Sequence, residues 1–265
     1  MHILCAHTPI RNALRDTAHN HAVGINRAKN MKTKEILSEL EKYGDEQTKK
    51  TYMRLGAKEP LFGVKVQDLK RILKTVKKNH DISLELYATG NYDAMYLAGL
   101  MADEKQISKE QLELWVGQAY FSYLSEYTVP WVAAETEQGF ELGLKWIQSD
   151  IETIASAGWG TLAYFASVNE DERLDTETYI KLLNTVKKEI HGAKNRVRYA
   201  MNGFVITIGS YVKALTEKSK EVAQKIGKVT VDVGETACKV PIANEYIDKV
   251  ITKGRIGVKR KSARC

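Results

Sequence analysis

Apolar residues recur at helical spacing along most of this chain, and very little interrupts them. Tyr179, Leu182, Leu183, Val186 and Ile190 stand at i, i+3, i+4, i+7 and i+11, and Leu112, Trp115, Val116, Ala119 and Tyr123 repeat the same series. That spacing draws one apolar stripe along each helix, and a stripe has to be buried against another element. Prolines number four, Pro9, Pro60, Pro130 and Pro241. Three of them fall where helix boundaries are expected, so they punctuate helices rather than break them. Ser108 with Gln111 forms a capping-box pattern ahead of one stripe, and Asp175 stands ready to cap the other. The expectation is an all-α fold. Only Val229 to Val233, followed by Gly234 and then Thr236 to Val240, alternates like a strand pair, which predicts a small β-hairpin near 229–240.

The predicted helices come in pairs. Tyr92 to Leu124, Trp131 to Ala166 and Thr176 to Leu215 each read as helix, break, helix, with starts roughly 40 residues apart, the period of HEAT-like arrays. A helix pair cannot bury its stripe alone and stacks on its neighbour, so the predicted architecture is a HEAT-like or armadillo-type solenoid with function on its concave face. Residues 31–248 are assigned to this helical-repeat domain. Residues 1–30 hold four of the six histidines and no clear period; they read as an irregular leader, with Met31 as an alternative start. Residues 249–265 read as a basic tail.

Charge has to be located before it is used. The chain carries a net +7, but residues 249–265 hold seven Lys/Arg and no acid, and residues 1–30 contribute +3, so 31–248 is at −3. A basic surface must therefore come from local clusters, or from the tail residues Lys249, Lys253, Arg255, Lys259, Arg260, Lys261 and Arg264, which are expected to be solvated or to hold phosphates. Cys5, Cys238 and Cys265 are odd in number and show no metal-ligand spacing, as reduced cytosolic thiols would. The longest uncharged candidate for a membrane span, Tyr199 to Val212, is too short for the roughly 18 to 20 residues required. The chain is read as cytoplasmic, with no membrane partner, no metal and no cofactor; its oligomeric state is left open, with a monomer favoured.

Several familiar chemistries drop out. Gly158-Trp159-Gly160-Thr161-Leu162-Ala163 matches dinucleotide-binding spacing but lies inside a helical run with no strand before it. No phosphate loop, H-E-x-x-H or G-x-S-x-G occurs, and His80 and His191 have no partner at metal or triad spacing. Two local basic clusters remain: Lys70, Arg71, Lys74, Lys77 and Lys78 against Asp68, and Lys187, Lys188, Lys194, Arg196 and Arg198 against Glu189. Each reads equally well as a solvated helix face or as a set of phosphate contacts. Of the four tryptophans, Trp131 follows Pro130 near a helix start, with Glu135 four residues on along the same face. An indole beside a carboxylate suits a cation, whether a bound base or a developing oxocarbenium ion, although a packed Trp and a surface Glu would look the same.

Together these stretches resemble the HEAT-like-repeat DNA alkylation repair family of alkylpurine DNA glycosylases, over most of 32–225. The likeness rests on Leu61-Phe62-Gly63-Val64-Lys65-Val66 leading into Asp68-Leu69-Lys70-Arg71-Ile72, on the Trp131/Glu135 pair, on Trp146, on Ala157-Gly158-Trp159 and on Arg196 to Val212. The resemblance implies hydrolysis of the N-glycosidic bond of cationic N3- or N7-alkylated purines, with Trp131 and Glu135 at the lesion. It also implies Lys70, Arg71, Lys74, Trp159, Arg196, Arg198 and Tyr199 as DNA contacts, alkylated or otherwise distorted double-stranded DNA as partner, and no metal or cofactor. The sequence departs from the family where a catalytic arginine belongs: near Ser156 the chain reads Ile154-Ala155-Ser156-Ala157. Whether the chain is an active glycosylase is thus left open. A non-catalytic module for branched or damaged DNA and a protein-binding scaffold are the alternatives.

Overall fold

In the computed structural model, which describes residues 31–234 and 239–264, the stripes picked out above are buried: Leu112, Trp115, Val116, Ala119, Tyr179, Leu183, Val186 and Ile190 are each at most 2% exposed. The first stripe stops short of Tyr123, which lies past the end of its helix at Gln118 and is only half-buried. Thirteen α-helices and no strand occur among the described residues. They gather into two units, one holding residues 31–103 and Gly234, the other 104–233 and 239–264. No helix of the described residues is long and apolar enough to cross a membrane.

The first unit contains α1 (Thr33–Lys42), α2 (Glu46–Arg54), α3 (Val66–Val76), α4 (His80–Ala88) and α5 (Tyr92–Met101). Asp45 starts α2 by accepting the Thr48 N–H at 2.8 Å, and Asn79 and Asn91 cap α4 and α5 in the same way. Helix α5 is buried along its whole length, apolar all round as a central helix should be. Its one acid, Asp93, is 0% exposed and clamps the loop ahead of α3. Asp93 Oδ2 accepts the Phe62 and Gly63 N–H groups at 2.6 and 3.0 Å, and Oδ1 accepts that of Val64 at 2.8 Å. Burial pushes the Asp93 carboxyl up, against these three bonds. Gly63 is required here: its φ is +79°, and a Cβ would lie 2.5 Å from the Lys49 nitrogen.

The second unit contains α6 (Lys109–Gln118), a π-helical turn (Leu124–Thr128), α7 (Val129–Ala134), α8 (Gly139–Trp146), α9 (Glu152–Val168), α10 (Thr176–Glu189), α11 (Asn195–Tyr211), α12 (Thr216–Ile226) and α13 (Ala243–Thr252). The Ser108/Gln111 capping box and the Asp175 cap both form. Helix α9 is the axle, packed on α7, α8 and α11, while α12 packs on α10, α11 and α13. The glycines of the discarded dinucleotide pattern serve this packing. A Cβ on Gly158 would meet the Ile147 nitrogen at 2.5 Å, so only glycine lets α9 come this close to the end of α8.

The structure changes two expectations about local structure. The predicted hairpin is not formed among the described residues of 229–240; residues 235–238 lie outside them, as do 1–30 and Cys265. The alternation that suggested strands is real, with Val229 and Val231 buried and Thr230 and Asp232 exposed. It buries one side of an extended segment whose partner is a side chain: Asn195 donates to the Asp232 carbonyl at 2.8 Å and accepts its N–H at 2.7 Å. The basic tail is not simply solvated either, since the Lys259 and Arg264 side chains are only 9% and 7% exposed.

Candidate functional site

Two sites grow from one stretch of chain in the second unit. Tyr123, Tyr127, Trp131 and Glu135 follow each other at i+4, and the rings stay in register through the π-helical turn. Pro130 explains that turn. It has no N–H to offer the Glu126 carbonyl four residues back, and the Val129 N–H reaches instead to Leu124, five residues back. The rings form a continuous row: Phe121 to Tyr123 at 5.0 Å, Tyr123 to Tyr127 at 5.8 Å, Tyr127 to Trp131 at 5.8 Å and Trp131 to Tyr164 at 6.5 Å.

At the far end of this row sits Glu135, just after α7, and the C-terminal segment holds it. Its Oε1 accepts the Ser262 hydroxyl and the Ala263 N–H, the latter at 2.7 Å. Its Oε2 lies 3.2 Å from the Arg264 guanidinium, which also reaches Glu104 at 3.1 Å. Further anchors keep the segment down. Lys259 pairs with Asp171 at 2.7 Å and donates to the Ala166 carbonyl, the Arg260 N–H donates to Ser167, and the Arg260 guanidinium lies 5.7 Å from the Tyr164 ring centre. Trp131 is 1% exposed, so the indole expected at a lesion is a packed side chain here.

At the near end lies a cluster whose acid the sequence did not single out. Glu126, its side chain 4% exposed, receives Arg196 through two bonds of 2.6 Å, Nε to Oε1 and Nη2 to Oε2. Glu152 accepts the Arg196 N–H at 2.7 Å, which covers one of the free donors at the start of α11, and the guanidinium lies 4.6 Å from the Tyr199 ring centre. Burial opposes the charge on Arg196, but Glu126 more than offsets it and holds the guanidinium above its ordinary range. Burial likewise pushes Glu126 up while Arg196 draws it back. The two-bond geometry keeps the pair ionic and its net charge zero. Tyr127 and Tyr199 share a hydrogen bond, and burial raises the pKa of both phenols, as it does that of Tyr123. All three stay neutral donors.

The remaining sequence-derived residues divide cleanly. Trp159, 2% exposed, packs edge-on against Phe204 at 5.1 Å and offers a strand no surface. Arg198 is half-buried, and its Nε has no acceptor among the described residues. Ser156, where an arginine was sought, is fully buried and donates to the Glu152 carbonyl at 2.7 Å. In the first unit Lys74 and Arg71 are exposed and Lys70 is half-exposed, with Arg71 drawn to Asp68 at 2.8 Å. No group of three or more His, Cys, Asp or Glu among the described residues is placed to hold a metal ion.

What sequence reading missed is Glu126 and the docking of the tail. The i+4 row from Tyr123 to Glu135 was legible as spacing. The partner of Glu126 lies 70 positions away, and that of Glu135 more than 120, where spacing carries no signal.

Residues 36–218 match the model of the family described as DNA alkylation repair enzyme. The uncharacterized protein Lin0241 of Listeria innocua is 35% identical over 193 residues, covering 71% of this chain and 83% of that protein. The uncharacterized protein Lmo0209 of Listeria monocytogenes is 36% identical over the same shares. Among solved structures, one described as a new family of proteins related to the HEAT-like repeat DNA glycosylases with affinity for branched DNA structures matches with a TM-score of 0.81 and 39% identity. That match covers 89% of this chain and all of the other. With its all-α, HEAT-like repeat fold, the chain belongs to the DNA alkylation repair enzyme family.

Proposed function

We propose that this protein binds branched or otherwise distorted DNA through phosphate contacts from Lys70, Arg71 and Lys74 in the first unit and from Arg198, with Tyr199 next to it in sequence, in the second, and that it does so without releasing bases. The observation that carries this reading is the occupation of both carboxylates in the Tyr123 to Glu135 row. Excision of a cationic purine leaves positive charge on the sugar, and a carboxylate stabilises it only if that carboxylate is not already neutralised. Glu126 is neutralised by Arg196, and Glu135 is engaged by two further donors and by Arg264, which it shares with Glu104. DNA binding itself needs only accessible cations, which α3 has. The affinity for branched DNA stated for the 39% identical structure supports the choice of ligand.

The family's description favours a second reading, in which Glu135 is the electrostatic stabiliser of alkylpurine excision and Trp131 the lesion-facing aromatic once the C-terminal segment lifts. One experiment separates the two. Methylated duplex and a four-way junction are each incubated with the protein, and bound DNA and released 3-methyladenine or 7-methylguanine are measured together. Junction binding with no release is the expected result. Release that Glu135→Gln abolishes would establish the second reading instead, and absence of binding to either DNA at low salt would defeat both.

A further inference from the structure

The cluster around Arg196 has an electrostatic character that argues against the ligands first considered for it. Glu126 and Arg196 cancel at 2.6 Å, and a third charged group, Glu152, already accepts the Arg196 N–H at 2.7 Å. A phosphate would have to compete with Glu126 for the guanidinium and would meet Glu152 as well, and a cationic alkylpurine would have to compete for carboxylates that Arg196 already engages. What the cluster does present is aromatic surface. Tyr123 is backed on one side by Phe121, near-parallel at 27°, and Tyr199 by the Arg196 guanidinium, while Tyr123, Tyr127 and Tyr199 each keep part of their surface in solvent. Tyr127 ties Tyr199 to the row through its hydroxyl. Rings held this way lose little freedom when something stacks on them, and neutral phenols donate hydrogen bonds without repelling a nucleic acid.

We propose that Tyr123 and Tyr199, both beside the Glu126–Arg196 pair, form a stacking site for an uncharged, unpaired nucleobase, such as one exposed at a DNA branch point. The proposal rests on the DNA-binding reading above and makes it specific. Phosphate contacts hold any DNA, but a stacking site rewards only DNA that has a base free to enter it. A fully paired duplex offers no such base, so the site supplies preference for branched over continuous duplex. It needs no sequence readout, because every base has a π face.

The test uses the full chain and a branched junction carrying an unpaired 2-aminopurine at the branch point, beside a duplex of the same sequence. Binding is expected to quench 2-aminopurine in the junction. Tyr123→Ala and Tyr199→Ala should each lower the ratio of junction to duplex affinity about tenfold, at the low end for loss of one stacking ring. Tyr199→Phe, which keeps a ring, should restore most of what Tyr199→Ala loses. Circular dichroism of each variant guards against misfolding, and the Phe variant supplies the answer if the alanine variants unfold. A junction that binds with unchanged 2-aminopurine fluorescence, or variants that weaken junction and duplex equally, would overturn the stacking site and leave the DNA-binding reading intact. Failure to bind either DNA would remove both.

Discussion

Helix α3 in the first unit and the start of α11 in the second carry similar clusters of cations and put them to opposite uses. In α3, Lys74 and Arg71 stand in solvent, and the Arg71 side chain is 66% exposed even while it touches Asp68. At the start of α11, Arg196 is locked to Glu126, Lys194 donates to the Asp150 carbonyl, and the Arg198 Nε is buried. A count of charges along the chain treats these clusters alike. The difference lies in whether a cation already has a buried carboxylate, since such a partner costs several kcal/mol to replace, whereas an exposed pair exchanges almost freely for a phosphate. In α3 the cations are available for a ligand; at the start of α11 Arg196 is committed to the fold.

The strongest way to break this contrast is to remove one charge from each cluster. Arg196→Ala leaves Glu126 buried without its partner and should cost about 3 to 5 kcal/mol, seen as a large fall in the urea midpoint. Arg71→Ala should stay within about 0.5 kcal/mol. Replacing the pair together, as Glu126→Leu with Arg196→Met, should recover most of the loss, because the penalty comes from the stranded charge. If Arg196→Ala proves as mild as Arg71→Ala, the α11 cluster is not structural.

Next in size comes the C-terminal segment. Arg264→Ala removes a 7% exposed guanidinium from Glu104 and Glu135, whose side chains are 25% and 13% exposed. The expected loss is about 2 kcal/mol, smaller than for Arg196 because water can reach both carboxylates. The same experiment sharpens the functional reading, since base release appearing in this variant alone would show that the tail restrains Glu135.

The helical body was readable because its information is local. The stripes of α6 and α10, the Ser108/Gln111 box and the Asp175 cap each depend on residues within a few positions of one another, and all of them form. The candidate site was readable only in part, for the converse reason. Trp131 and Glu135 were found by their spacing, but what surrounds them was decided by Arg264 and Ser262, far along the chain. Val229 and Val231 gave a true alternation, yet alternation reports only that one side is buried; a hairpin also needs a second strand, and Asn195 supplies the bonds instead. The π-helical turn was missed because Pro130 reads equally well as a helix start, and its missing N–H matters only once Glu126 is seen to be helical.

A smaller effect separates the units in DNA binding. Lys70→Glu with Lys74→Glu should weaken junction and duplex binding alike and lower the slope of log affinity against log salt by about 2, near one per phosphate contact, with little change in thermal midpoint. Binding that keeps its full salt slope in this variant would move the phosphate contacts elsewhere.

The smallest effect concerns pH and compares the matched helix caps Asp45 and Asp175, one in each unit. Both pKa values are lowered, first by the hydroxyl and then by the N–H of the threonine three residues on, Thr48 or Thr178. A lowered carboxyl pKa stabilises the fold above the unfolded value of about 3.9 and loses that contribution as pH falls through the folded pKa. Buried Asp93 and Glu126 run the other way: their raised pKa values mean that their ionisation costs stability, and the cost is relieved as pH falls through them. The two sets oppose each other, so acid destabilisation from the caps should begin only below the range in which Asp93 and Glu126 take up protons. Asp45→Asn and Asp175→Asn keep a capping oxygen without a charge. Thermal midpoints followed from pH 7 to pH 2.5 should show each variant losing less stability in acid than the parent; an unchanged acid limb in both would mean that the caps act through their oxygen alone.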